Sequence, residues 1–148
     1  DLNLNQNIKM DSNVLNLTEF RWNPFESTIY GMYHGTVYID SDYYLIGTDN
    51  QGNKICYQET GRNGQETMFR QTIGLYPGYE EIAPEANTIT LQLYEVKNDT
   101  AHQVSEEKMD KDPSDDIYEE STTYVYDGGE SPIDSAIPIG DNLTIQIR

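Results

Sequence analysis

Strict alternation of apolar and polar side chains is clearest in two segments of the chain, residues 88–94 and 143–147. In the first segment Ile89, Leu91 and Leu93 fall on one face, because successive side chains of a strand point to opposite sides of a sheet. The second segment repeats the pattern. Both are therefore predicted to be β-strands with one face buried.

Shorter runs rich in Tyr, Ile and Thr are bounded by clusters of Gly, Asn, Asp and Pro, which is typical of strands joined by turns. These runs predict further strands at residues 15–22, 27–33, 43–48, 54–58 and 67–73. The strand at 15–22 should end at Asn23-Pro24, because proline removes a ladder donor. The turn Asp-Asn-Gln-Gly at 49–52 predicts a hairpin between residues 45–48 and 53–57.

The pattern as a whole favours an all-β fold. No segment of eleven or more residues has the apolar spacing of an amphipathic helix, and strands follow one another without intervening helices. Regular turn signals indicate a sandwich or a barrel, and we favour an immunoglobulin-like antiparallel β-sandwich of two sheets. One domain covering residues 1–148 is expected at this length. Residues 98–120 are predicted to be an acidic loop excursion, and residues 118–126 to be extended again.

Charge and composition narrow the partners. The chain has 26 acidic residues against nine Lys and Arg, with a net charge of -17. Nucleic acid is excluded as a partner and anionic lipid is disfavoured, because both are negatively charged. Cys56 is the only cysteine, so neither an intrachain disulfide nor a cysteine-based zinc cluster is expected. No apolar stretch approaches the roughly 20 residues that span a bilayer, so we expect any membrane anchor to lie outside these residues.

Motifs of the common catalytic chemistries are missing from the sequence. It contains no serine-nucleophile elbow, no phosphate-binding loop and no dinucleotide fingerprint. His34 and His102 stand in no pattern that indicates a catalytic base, and we interpret them as ordinary surface or loop histidines. We therefore predict that the chain is not an enzyme.

The acidic excursion contains one candidate metal site. Asp110, Asp112 and Asp116 match the first, third and seventh positions of a calcium-binding loop, with a serine at the fifth. Asp115 stands where that loop requires glycine, and a serine stands where a bidentate glutamate is expected. A solvated acidic loop and a calcium site both remain open, so we predict no cofactor, with calcium as the alternative.

Aromatic residues supply the candidate binding site. Twelve tyrosines and one tryptophan can pack in the core of an all-β domain, stack on a sugar or anchor a protein partner. Tyr76 and Tyr79 flank Pro77-Gly78 in a loop between strands, where packing demands are weakest. We predict Tyr76, Tyr79 and Trp22 as binding residues.

The order of strand and turn motifs resembles that of a known family. The motifs are IK at 8–9, LNLTEF at 15–20, NP at 23–24, STIY at 27–30, YLIGTDNQG at 44–52, ITLQLY at 89–94 and DNLTI at 141–145. They resemble an uncharacterised extracytoplasmic domain at the C-terminal end of putative membrane-bound anti-sigma factors, negative effectors of extracytoplasmic-function sigma factors, in Gram-positive bacteria. The resemblance covers most of the chain but rests on patterning and not on a chemical motif.

This resemblance implies a short sigma-factor-binding segment in the cytoplasm and one transmembrane helix upstream. The domain itself would lie outside the cytoplasm, at the cell surface, and would serve as a sensory or protein-interaction module. Its partner would be an unknown protein or cell-envelope ligand, and no binding residues can be carried over. The alternative is a cell-surface adhesin or carbohydrate-binding module, either calcium-dependent or calcium-independent.

Overall fold

The computed structural model describes residues 1–35, 41–97, 101–105, 122–126 and 132–148. Within these ranges the elements are β-strands and one single-turn 3-10 helix, so the prediction of an all-β chain is confirmed. The strands are β1 Leu2–Lys9, β2 Asn13–Asn23, β3 Glu26–Gly35, β4 Ser41–Asp49, β5 Lys54–Asn63, β6 Glu66–Gln71, β7 Thr88–Lys97, β8 Ala101–Ser105, β9 Thr122–Tyr126 and β10 Ile137–Gln146. The 3-10 helix is Pro132–Ser135.

Eight of the strands form one antiparallel sheet in the order β1-β2-β3-β6-β5-β4-β7-β10. The sheet curls until its two edge strands, β1 and β10, come into contact. Their closeness is shown at Gly140 of β10, where an added Cβ would lie 3.2 Å from the Ile8 side chain of β1. No β1–β10 pairing is recorded among the described residues, so the sheet is a nearly closed barrel. The immunoglobulin-like sandwich of two sheets is not confirmed.

Bulges in several strand pairs help the sheet to curl. In β2 the pairing with β3 shifts between Leu17 and Glu19, and in β5 the pairing with β6 shifts between Glu59 and Gly61. An extra residue in one strand bends it and increases its twist. The shift in β2 also changes the alternation of inward-facing side chains. Odd-numbered residues such as Leu17 face inward before the shift, and the even-numbered Phe20 faces inward after it.

The hairpin predicted at residues 49–52 is confirmed. Thr48 pairs with Lys54, and Gly52 occupies the left-handed region with a φ of 91°. Asp49 stabilises the turn from inside the barrel, because its carboxylate accepts hydrogen bonds from backbone N–H groups of the turn. Its other oxygen accepts one from the N–H of Ala83, in the segment that links β6 to β7.

The main core fills the barrel. Its largest fully buried side chains come from seven strands, β2 to β7 and β10, and they include Leu17, Phe20, Ile29, Tyr57, Phe69 and Leu93. A second, smaller cluster lies on the outer face of the sheet and is centred on Tyr44, Cys56 and Val96. The linking segment 72–87 serves both, because Ile82 packs in the main core and Tyr76 packs on the second cluster.

The two ends of the barrel differ in the elements that they carry. One end, which we call the Pro24 end, has the β2–β3 turn, the β4–β5 turn and the 72–87 segment, as the pairing registers require. Asp1 and Arg148 also lie at this end, since Leu2 pairs with Phe20 and Gln146 pairs with Thr88. The opposite end, which we call the Glu59 end, carries the β1–β2 and β5–β6 turns.

One part of the predicted acidic excursion, residues 101–105, forms a strand, whereas residues 98–100 and 106–120 lie outside the described residues. The excursion was expected to be a loop over 98–120, but Ala101–Ser105 pairs with Thr122–Tyr126 as a two-stranded sheet. The second of these strands confirms the extended structure expected over 118–126 for residues 122–126, and residues 118–121 lie outside the described residues. No helix among the described residues is long and apolar enough to cross a membrane.

Candidate binding cleft

A cleft of about 1020 Å³ opens at the Pro24 end of the barrel. Four segments that are far apart in the chain line it: the β2–β3 hairpin, the end of β6, the linking segment and Arg148. Its apolar side chains are Trp22, Pro24, Phe25, Ile73, Ile82 and Pro84, and its charged side chains are Glu26, Arg70, Glu81 and Arg148. We call this site the Trp22 cleft.

The β2–β3 turn places Phe25 at the mouth of the cleft. Asn23 and Pro24 occupy the first two positions of the turn, where their conformational preferences favour a tight reversal. The Asn23 side chain accepts a hydrogen bond of 2.8 Å from the Phe25 N–H. Phe25 is 97% exposed, although a large aromatic side chain gains most from burial. The turn therefore presents an exposed aromatic ring at the cleft.

Trp22 forms the floor of the cleft and is only partly exposed. It packs against the main core, with its ring 6.5 Å from the ring of Phe20. The guanidinium carbon of Arg148 lies 5.4 Å from the centre of the Trp22 ring, which is within the range of a cation–π contact. The indole therefore positions a positive charge at the cleft.

Arg70 adds a second positive charge from the outer face of β6. It pairs in register with Thr28 of β3, and both residues line the cleft. Among the described residues, neither Arg70 nor Arg148 pairs with a carboxylate. The Trp22 cleft therefore combines exposed apolar side chains with two guanidinium groups that pair with no carboxylate among the described residues.

Charged groups at the Glu59 end are arranged differently. The Glu59 carboxylate, which is nearly buried, accepts hydrogen bonds from the Tyr33 hydroxyl at 2.5 Å and the Thr67 hydroxyl at 2.6 Å. Arg62 pairs with Glu59 and lies over the rings of Tyr33 and Tyr43. Burial and the neighbouring Glu59 charge raise the pKa of Tyr33 far above its usual value. Since these polar groups are mutually paired, the cluster stabilises this end of the barrel.

The predicted binding residues do not come together. Trp22 lines the cleft, whereas Tyr76 and Tyr79 pack against the second cluster on the outer face of the sheet. The Tyr76 ring meets the ring of Tyr44 edge-on at 6.2 Å, and their hydroxyls are 3.3 Å apart. The binding roles of Tyr76 and Tyr79 stay predictions, at a place separate from the Trp22 cleft.

Cys56 lies in the second cluster, together with Tyr44, Tyr76 and Tyr79. It is fully buried and forms no disulfide. Burial raises the pKa of its thiol to about 11, and the hydrogen bond with Thr72 opposes this shift only in part. Because the thiolate is the reactive form of cysteine, Cys56 is expected to be inert at neutral pH.

The predicted calcium ligands Asp110, Asp112 and Asp116 lie outside the described residues. Within the described ranges no group of three or more His, Cys, Asp or Glu side chains could hold a metal ion. The calcium alternative therefore stays a prediction about that segment alone.

The sequence interpretation missed four residues of the cleft: Phe25, Ile73, Arg70 and Arg148. One signal was available for Phe25, because a large apolar residue directly after Asn-Pro falls at the tip of a predicted turn. No comparable signal joins Arg70 to Arg148, since 78 positions separate them (148 − 70) and only the strand order brings them to one cleft.

Comparisons of the chain with protein-family models, curated proteins and solved structures give no match. The resemblance to the extracytoplasmic domain of anti-sigma factors therefore stays a prediction.

Proposed function

We propose that this chain is a non-catalytic binding module that takes a partner in the Trp22 cleft. In its cellular setting it is the extracytoplasmic sensory or protein-interaction domain of a membrane-anchored sigma-factor regulator, and its anchor lies outside these residues. The single observation that carries the binding role is the Trp22 cleft, which is lined by an almost fully exposed Phe25 and by two arginines that pair with no carboxylate among the described residues. The regulatory setting is supported only by the family resemblance.

Exposed apolar surface at this site needs an explanation. Phe25 is 97% exposed and Ile73 is 56% exposed, and both line the same cleft, which also contains Trp22 and two prolines. Single exposed apolar residues are common on protein surfaces, but a concave group of them with convergent polar side chains is typical of a binding site. Burial of Phe25 and Ile73 against a partner would remove this surface from water.

A double variant, Phe25→Ser with Ile73→Ser, tests the role of the cleft in cells. In a strain that reports sigma-factor activity, the variant should change the response to envelope stress when it replaces the natural protein. Leu75→Ser is the matched control, because Leu75 is 60% exposed but does not line the cleft. An unchanged response in the double variant, at normal protein level, would contradict the proposal.

The regulatory setting has a simpler test in the full-length gene. A transmembrane helix should be encoded upstream of Asp1, preceded by a short cytoplasmic segment. If the gene encodes neither, the assignment to a sigma-factor regulator is wrong, whereas the binding role of the cleft is unaffected.

A cell-surface adhesin or carbohydrate-binding module is the second candidate, because Trp22 and Phe25 are both aromatic and line one cleft. The contact between Arg148 and Trp22 argues against this candidate. The Arg148 guanidinium lies over the Trp22 ring, so a sugar would have to displace it in order to stack there. Binding on a glycan array that is lost in Phe25→Ser would favour this candidate. A blank array, together with calorimetry that detects no calcium binding, would remove it.

A relationship to the immunoglobulin-like sandwich also belongs to the proposal. The eight strands can be divided between β6 and β5 into two halves of four, β1-β2-β3-β6 and β5-β4-β7-β10, which face each other across the main core. The bulge between Glu59 and Gly61 lies at this division, where a sheet that flattens into a sandwich would bend. An experimental structure with continuous curvature through β5 and β6 would contradict the sandwich description.

A further inference from the structure

We propose that the Trp22 cleft recognises a peptide segment of a partner protein, through an acidic side chain placed next to a large apolar one. The inference rests on the proposed function, since it names the ligand class of the same cleft. It follows from the distribution of paired and unpaired charges on this very acidic chain.

The chain has four arginines, and they fall into two groups. Arg21 pairs with Glu19 at 2.5 Å, and Arg62 pairs with Glu59. Arg70 and Arg148 pair with no carboxylate in the described part of the chain, and both line the Trp22 cleft. In a protein with 26 acidic residues, intramolecular partners for arginine are abundant. Two guanidinium groups left unpaired at one cleft therefore point to an anionic group on a ligand.

Carboxylates on the rim limit how much negative charge the ligand can carry. Glu26 and Glu81 also line the cleft, and Glu26 accepts a hydrogen bond from the Tyr30 hydroxyl at 3.1 Å. Together with the net charge of -17, they would repel a polyanion such as a nucleic acid or an anionic cell-wall polymer. A ligand with one or two isolated carboxylates, placed at the arginines, avoids that repulsion.

The apolar part of the cleft determines what accompanies the carboxylate. Phe25 and Ile73 present exposed side chains, whereas the Trp22 ring is occupied by Arg148. Aliphatic and aromatic side chains of a peptide can bury Phe25 and Ile73 without displacing Arg148, but a sugar that stacks on Trp22 cannot. A protein partner with an acidic residue beside an apolar one therefore fits the cleft better than a glycan does.

Selection from a random library tests both parts of the inference. Twelve-residue peptides displayed in a random library would be selected on the immobilised full chain, and enriched peptides measured by fluorescence polarisation. We expect enriched sequences to place Asp or Glu beside Leu, Ile, Phe or Trp. Arg70→Gln and Arg148→Gln should each weaken binding about tenfold, as loss of a charge-assisted contact does. Lys9→Gln, which makes the same charge change at the Glu59 end, should leave affinity unchanged.

The outcomes separate this inference from the proposed function. If neutral or basic peptides are enriched, or if affinity is unchanged in both arginine variants yet lost in Phe25→Ser, the acidic specificity is wrong and the binding role of the cleft stands. If no peptide is enriched, the peptide class of ligand is wrong, and the binding role of the cleft is then decided by the Phe25→Ser, Ile73→Ser variant in cells. If peptides bind Phe25→Ser and both arginine variants as tightly as the natural chain, both proposals are overturned. Selective retention of an acidic glycan, with no peptide enriched, would replace the partner class by carbohydrate.

Discussion

The Asp49 side chain offers the sharpest test of how the Pro24 end of the barrel is held together. Asp49 is 4% exposed, and its carboxylate accepts three backbone hydrogen bonds. One oxygen accepts from the N–H groups of Gln51 at 2.9 Å and Asn53 at 3.0 Å, and the other accepts from the N–H of Ala83 at 2.9 Å. Asp49 therefore joins the β4–β5 turn to the 72–87 linking segment at the same end of the barrel.

Replacing Asp49 removes these acceptors from donors that remain in place. An orphaned buried donor costs about 1–3 kcal/mol, and a donor near the surface costs less because water can reach it. Asp49→Ala should therefore lower the free energy of unfolding by about 4 kcal/mol, with the buried N–H of Ala83 as the largest part. Asp49→Asn retains one oxygen for the turn but presents an amide donor to the Ala83 N–H, so it should lose about 2 kcal/mol.

Urea unfolding at pH 7, followed by Trp22 fluorescence and circular dichroism, measures these changes if the transition is two-state. Asp42→Ala is the matched control, because Asp42 is an exposed aspartate on the same strand. Its unfolding free energy should lie within about 0.5 kcal/mol of the natural chain. The reasoning is refuted if Asp49→Ala is as stable as Asp42→Ala, and the division between the two oxygens is refuted if Asp49→Asn loses as much as Asp49→Ala.

Three further predictions concern other parts of the barrel. A Cβ at Gly47 would lie 1.7 Å from a backbone oxygen of β7, so Gly47→Ala should lower the free energy of unfolding in urea by at least about 3 kcal/mol. Gly61→Ala is the control, because its Cβ would meet only the flexible end of a methionine. It should lower the free energy of unfolding by less than about 1 kcal/mol. Glu59→Gln should lose about 2 kcal/mol, because an amide presents a donor to groups that already donate, whereas exposed Glu66→Gln should be neutral; equal effects would refute this. Burial raises the pKa of Cys56 to about 11 from 9.0, so the stability that this thiol contributes is fully present below pH 9 and is lost as the pH rises towards 11, by about 2–3 kcal/mol. Cys56→Ala should reduce that alkaline loss, and a disulfide reagent that labels the folded chain at pH 8 would contradict the burial.

Periodicity predicted the strands well where one face is uniformly apolar. The run through Ile89, Leu91 and Leu93 and the turn at 49–52 were confirmed. Strand β1 was missed, although Leu2, Leu4 and Ile8 alternate correctly, because the polar Gln6 occupies the third of the four inward positions and weakens the pattern. Local alternation reports which face is buried and carries no information on whether a sheet closes on itself. The alternation of apolar and polar residues could therefore not distinguish a sandwich from a barrel.

The cleft was less predictable than the strands for a related reason. Trp22 was identified as a candidate because aromatic side chains bind partners, but its neighbours depend on the pairing of β3 with β6, which skips two strands in the chain. Arg70 reaches the cleft through that pairing, and Arg148 reaches it through the pairing of β10 with β7. Long-range pairings of this kind leave no mark on the spacing of residues within a strand.

The position of both described chain ends has a practical meaning for any experiment on this domain. Asp1 lies near Arg21, with 4.0 Å between their charged groups, and Arg148 lies on Trp22, so both ends emerge beside the cleft. A tag, a surface linkage or a fluorescent protein fused to either end would stand beside the Trp22 cleft and hinder access to it. Immobilisation through an engineered cysteine in the β5–β6 turn, at the far end of the barrel, would leave the cleft facing the solution. A natural tether joined ahead of Asp1 would likewise hold the cleft towards the surface to which the domain is attached, and a partner would have to approach within the space between them.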